Sequence, residues 1–96
     1  MNKIRVTHHA ADRARERFGI HSRDRVRRAW REGVRIPRRL GDRIARKNRR
    51  SERWIQYRIF GSQLLIGREN TVITTWPIAD EDLASVFVYA LMGVWT

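Results

Sequence analysis

The stretch ERWIQYRIFGSQLLIGRENTVITTWP, residues 52–77, decides the fold. From Glu52 to Phe60 it alternates, with Trp54, Gln56 and Arg58 on one side and Ile55, Tyr57 and Ile59 on the other, which is the period of a half-buried strand. Gly61 and Ser62 supply a two-residue turn, and Gln63 to Gly67 form the next strand. Glu69 and Asn70 turn the chain again into Thr71 to Trp76. Strict alternation there puts Val72, Thr74 and Trp76 on one face and Ile73 and Thr75 on the other, and Pro77 ends the strand. The stretch reads as an antiparallel meander. Val34 and Ile36, alternating around Arg35 and stopped by Pro37, extend it as a short edge strand.

Upstream of the meander the period changes to that of helices. The first opens at Thr7 or His8 with Thr7 as N-cap and stops before Gly19, with Ala11, Ala14 and Phe18 as its apolar stripe. The second runs from Arg23 to Glu32 between Ser22, an N-cap residue, and Gly33, and buries Val26, Ala29 and Trp30. Between the edge strand and the meander, residues 38–51 are crowded with arginine and poor in apolar residues. They read as a long basic loop with one helical turn around Leu40 to Ala45.

Past the meander, Asp80 is an N-cap for a last helix, with Glu81 and Asp82 well placed in its first turn. Residues 83–95 are apolar nearly all round and too few to span a bilayer. Such a helix needs cover on two sides, here the sheet and a protein partner or a second copy of the chain in a homodimer. The expected fold class is α+β: two short N-terminal helices on a sheet of three or four antiparallel strands, with an apolar C-terminal helix. Ninety-six residues, 42% of them hydrophobic, make one domain, 1–96.

Charge narrows the function. The chain carries 21 Lys and Arg against 10 Asp and Glu, a net +11, and all the cations except Lys3 and Lys47 are arginine. The residues up to Phe60 hold +14, and those from Gly61 onward −3. A cationic footprint on one part of the fold points to nucleic acid, and arginine's planar fork binds phosphate bidentately and stacks on bases. With no cysteine, disulfides, thiolate metal sites and cysteine nucleophiles are excluded. No apolar run follows the basic residues of the N-terminus, so a cytoplasmic location is expected.

On the first helix His9, Arg13 and Arg17 stand four residues apart and line one stripe, with Glu16 beside it. An imidazole beside two guanidiniums suits a phosphodiester, since Arg neutralises the phosphate while His moves a proton near neutral pH. The same stripe also serves a protein that only holds phosphates. Arg38, Arg39, Arg46, Lys47, Arg49 and Arg50 in the basic loop, with Arg53 and Arg58 on the following strand, are candidate nucleic-acid contacts. His8 duplicates His9, and His21 lies at a helix junction.

The run His9-Ala10-Ala11-Asp12-Arg13-Ala14-Arg15-Glu16-Arg17 resembles the opening helix, H-A-x-x-R-x-x-E-R, of small toxin-like domains. Thr71-Val72-Ile73-Thr74-Thr75-Trp76-Pro77 looks like their closing strand. These domains belong to the barnase, EndoU, colicin and RelE-like superfamily of metal-independent ribonucleases, whose N-terminal helices pack on an antiparallel sheet. The resemblance covers residues 6–77, apart from the Arg-rich segment 38–51, and leaves the C-terminal helix outside. It implies acid-base cleavage of RNA by its own 2′-hydroxyl to a cyclic phosphate, with no metal and no cofactor. His9 would be the proton-transfer residue, Arg13 and Arg17 the phosphate contacts, Thr74, ahead of Thr75, a hydrogen-bonding group on the facing strand, and Trp76 a base-stacking platform. An antitoxin would then dock on the C-terminal helix. The rival expectation is a non-catalytic nucleic-acid or nucleoprotein binder, such as a phage-encoded inhibitor of a host or CRISPR complex.

Overall fold

The computed structural model describes residues 3–47, 52 and 54–93. In chain order the elements are β1 (Arg5–Val6), α1 (His8–Phe18), α2 (Arg23–Glu32), β2 (Val34–Ile36), α3 (Arg38–Ala45), β3 (Ile55–Phe60), β4 (Gln63–Arg68), β5 (Thr71–Pro77) and α4 (Asp80–Met92). The fold is α+β, and the meander and its edge strand form, but the first long strand begins at Ile55 rather than Glu52, because Trp54 stands before it in a turn with the left-handed φ of 68°. Two features enlarge the expected plan: the sheet has five strands, ordered β1-β5-β4-β3-β2, and it is mixed. β1 pairs parallel to β5 through Arg5 N to Asn70 O at 2.7 Å, and Thr7 N reaches Val72 O at 3.2 Å. Two residues are too few to show a period, so β1 left no trace in the sequence pattern.

The sheet has a core on each face. Under α1 and α2 lie Val6, Ala10, Ala14, Val26, Ala29, Trp30, Leu65 and Val72. The other face gathers Ile36, Leu40, Ile44, Ile55, Tyr57, Ile59, Leu64, Ile66 and Ile78 beneath α3 and α4. Trp30 and Tyr57 are the largest fully buried side chains, one on each face, and each stabilises the fold by about 2–3 kcal/mol through burial. Gly67 lets the Trp30 ring lie against the sheet, since a Cβ there would stand 2.7 Å from Trp30 Cη2.

Thr7 caps α1 by accepting from Ala10 N at 3.0 Å, and Gly19 closes it in the left-handed conformation. The buried stripe of α1 is Ala10 and Ala14, while Ala11 and Phe18 are only half-buried. α2 forms without a side-chain bond from Ser22, and Gly33 leaves it in extended rather than left-handed backbone.

Two further expectations are corrected. The first half of the basic segment is the helix α3, because Leu40 and Ile44, one turn apart, seat it on the sheet. Arginines on its outer side masked that spacing. The face assignment in β5 also changes, because a β-bulge between Ile66 and Gly67 of β4 leaves Ile73 as an extra residue opposite the register Ile66↔Thr74 and Gly67↔Val72. Val72 therefore belongs to the core under α1 and α2, whereas Ile73 and Trp76 pack against the other core.

α4 starts at Asp80 after Ala79, which holds the N-cap position without a side-chain bond. Val86 and Tyr89 pack against the core beneath it, and the rest of its apolar surface faces outward: Phe87 is 64% exposed, Leu91 70% and Met92 72%. Among the described residues no helix is long and apolar enough to cross a membrane.

α3 approaches the sheet so closely at Gly41 that a Cβ there would overlap the Tyr57 ring. Gly41→Ala must therefore lift α3 or displace Tyr57, and is expected to destabilise the protein by about 3 kcal/mol in urea unfolding even though alanine is the better helix former.

Candidate functional site

Where β1 ends, the outer edge of β5 is left without a strand partner, and α1 covers it. Thr7 Oγ1 donates to Ile73 O at 3.0 Å, and Arg17 Nη1 donates to Thr75 O at 2.7 Å. The Arg17 guanidinium also lies over the Trp76 ring, 4.0 Å from its centroid. Burial, and next the charge of Arg13, lower the Arg17 pKa, with Glu16 acting in the opposite direction.

This docking aims the row His9, Arg13 and Arg17 across the end of β5 toward the C-terminal end of α3. A cleft of about 470 Å³ lies between them. α1 lines it with His9, Arg13 and Arg17, α3 and the residues after it with Ala45, Arg46 and Lys47, and the sheet with Ile66, Thr74 and Trp76. Its titratable lining is one imidazole and four cations.

Two of the lining cations are paired with carboxylates. Glu16 binds Arg13 at 2.6 Å, and Glu81 at the start of α4 pairs with Arg46. Asp82 is buried, with Oδ1 3.7 Å from Arg43 Nε and Oδ2 3.9 Å from Arg46 Nη2. α4 is thus tied to the cleft by charge as well as by packing. Arg46 itself stands in the left-handed conformation at φ 54°, closing α3.

Of the residues singled out in the sequence, His9, Arg13, Arg17, Thr74, Trp76, Arg46 and Lys47 come together here. The two threonines separate cleanly: Thr74 lines the cleft, and Thr75 spends its hydroxyl on Leu64 O at 3.1 Å. The two histidines separate as well, with His9 in the cleft and His8 outside it, Nδ1 3.1 Å from Arg23 Nη2. His21 is exposed at the helix junction. Arg38 and Arg39 open α3 at the end away from the cleft, and Arg38 donates to Glu52 O.

Arg58 lies on the opposite face of the sheet, 4.3 Å above the Trp30 ring, and donates to Trp30 O at 2.8 Å. Burial, with the charge of its cross-strand partner Arg35, lowers its pKa. It acts as a packing residue in this fold. Arg49, Arg50 and Arg53 lie outside the described residues.

Sequence reasoning missed the acidic clamp on Arg46, since Glu81 and Asp82 stand far along the chain with no signal beyond their helix-start position. It also missed Ala45 and Ile66, whose apolar character reads as core. Among the described residues no three His, Cys, Asp or Glu side chains cluster as metal ligands. No protein-family model, curated protein or solved structure matches the chain, so the geometry of the cleft carries the functional reading.

Arg17→Leu tests how the site is held. It removes the donor to Thr75 O and the cation over Trp76 while keeping apolar volume, and a loss of about 2 kcal/mol in urea unfolding is expected. Unchanged stability would show that the edge of β5 does not depend on Arg17.

Proposed function

We propose that the protein binds single-stranded RNA in the cleft between α1, α3 and β5 and cleaves it as a metal-independent endoribonuclease of the toxin type. One observation carries the reading: the imidazole and guanidiniums of α1 meet Thr74 and Trp76 of β5 and the cations after α3 in one open cleft. A polyanion is the ligand that such a lining favours, and RNA is the polyanion with a nucleophile of its own next to each phosphate.

In the proposed step the 2′-oxygen attacks the adjacent phosphorus as the bond from phosphorus to the 5′-oxygen breaks. A 2′,3′-cyclic phosphate and a free 5′-hydroxyl result. His9 takes the 2′-hydroxyl proton, and the departing oxygen takes one from water admitted by the open cleft. Arg13 and Lys47 spread the charge that builds on the non-bridging oxygens, and the Thr74 hydroxyl supplies a further donor. Arg17, with one of its five N–H donors on Thr75 O, adds positive charge and fixes Trp76. Because Arg17 covers one side of the Trp76 ring, a base contacts the remaining side or the edge.

The rival reading, a binder that holds nucleic acid or a nucleoprotein without cutting it, draws support from the same Arg17, whose guanidinium is engaged within the fold. Full-length protein with labelled single-stranded RNA in EDTA separates the two. Cleavage ending in a cyclic phosphate, with DNA of the same sequence intact, is expected, and His9→Ala should slow it by at least about 100-fold with unchanged circular dichroism. RNA bound but uncut by the wild type establishes the binder. Wild-type cleavage by the variant removes His9 from the mechanism.

The reading includes a protein partner or a second copy on the outward face of α4. Phe87 and Leu91, four residues apart, form the centre of its exposed stripe. Sedimentation of the purified protein tests the homodimer: the wild type should dimerise, and Phe87→Ser with Leu91→Ser should give a monomer. A monomeric wild type leaves the stripe to a different protein.

A further inference from the structure

α1 has a second cationic hollow on its other flank. Residues 3–7 and the first turns of α1 and α2 enclose a cleft of about 410 Å³, into which Lys3, Arg5, His8, Arg23 and Arg27 contribute. Among the described residues one carboxylate answers this cluster: Asp24 pairs with Arg27 at 2.5 Å and is itself 88% exposed. Arg27 also donates from Nε to Ile4 O at 2.9 Å, which fixes its guanidinium at the rim. Among the described residues Lys3, Arg5 and Arg23 form no ion pair.

Arg23 is the more telling cation. It occupies the first turn of α2, where the helix dipole opposes positive charge, and its contact is with His8 rather than with an acid. A guanidinium only donates, so His8 Nδ1 accepts from it and the ring proton sits on Nε2. The hollow therefore gathers donors, with positive charge that the fold itself leaves unbalanced. These are the requirements of a phosphate site.

The position of the hollow relative to the first cleft is set by helix geometry. His8 and His9 are adjacent residues, about 3.8 Å apart at Cα, and successive helical side chains diverge by about 100°. One lines each cleft, so the two clefts flank the same first turn of α1.

We infer that the hollow of Lys3, Arg5, His8, Arg23 and Arg27 holds a backbone phosphate of the strand whose neighbouring nucleotides occupy the first cleft. The strand thereby crosses the N-terminal turn of α1. This rests on the RNA-binding reading above and adds a second subsite, built from residues that the cleavage step does not use.

The experiment measures binding rather than cleavage. Fluorescein-labelled 2′-O-methyl oligouridylates, which lack the nucleophile, are titrated by anisotropy at several salt concentrations as a trinucleotide and as a dodecanucleotide. The wild type is compared with an Arg5→Gln, Arg23→Gln double variant, whose replaced side chains are exposed, and with Arg13→Gln in the first cleft. Thermal melts confirm that all three fold.

The double variant should bind the dodecanucleotide about tenfold more weakly, with the slope of log K against log salt shallower by about one, and should bind the trinucleotide as the wild type does. Arg13→Gln should weaken both lengths. Equal dodecanucleotide affinity and slope in the wild type and the double variant overturn the second subsite, as does an equal loss at both lengths, which marks a general field. If Arg13→Gln changes neither length while the double variant loses the dodecanucleotide, the first cleft fails as the RNA site and the continuous strand path fails with it. A wild type that binds neither oligonucleotide overturns both readings.

Discussion

The contact on which the other features depend is the docking of α1 along the bare edge of β5. β1 is only long enough to pair with Thr71 and Val72, and the carbonyls of Ile73 and Thr75 beyond it would otherwise face solvent as an open template for another strand. Thr7 and Arg17 take those carbonyls from the two ends of α1. Because Thr7 also caps the helix, one hydroxyl fixes both where α1 begins and where it lies. The pitch of the helix does the rest, turning Ala10 and Ala14 into the core and the row of His9, Arg13 and Arg17 outward over the edge.

The abundance of arginine divides by what each guanidinium meets. Arg17 and Arg58 are spent inside the fold, each lying over a tryptophan and donating to a backbone carbonyl. In Arg58 this offsets a like-charged cross-strand neighbour, Arg35, which would otherwise weaken the pairing of β2 with β3. Arg15 and Arg28 form exposed pairs with Asp12 and Glu32 within their own helices, contacts that contribute a few tenths of a kcal/mol each. Of the others, Arg13, Arg46 and Lys47 line one flank of the first turn of α1 and Lys3, Arg5, Arg23 and Arg27 the other, so that part of the net charge becomes a local property there.

Legibility in the sequence followed the strength of the periodic signals. The meander, both N-terminal helices and the edge strand were readable because Ile55, Tyr57, Ile59 and Val26, Ala29, Trp30 repeat at the spacing of their elements. The row of His9, Arg13 and Arg17 needed only the pitch of a helix, and its meeting with Thr74 and Trp76 needed α1 to lie beside the last strand. What escaped was set by tertiary context. β1 exists because β5 has an edge to offer, α3 exists because Leu40 and Ile44 find Tyr57 beneath them, and the pairing of Arg46 with Glu81 joins residues that only the fold brings close. Arg58 was readable as a strand cation, yet its use as a lid on Trp30 depends on where α2 lands.

The bulge at Ile73 has a consequence for how this chain tolerates change. It puts the two halves of β5 out of phase, so that Val72 answers to the helices on one side while Thr74 and Trp76 answer to the cleft on the other. A strand in strict register would bind both tasks to a single alternation, and altering the cleft would disturb the hydrophobic seal. With the phase broken between them, the chemistry of the cleft can drift by substitution at its own positions while the seal beneath α1 and α2 keeps its shape.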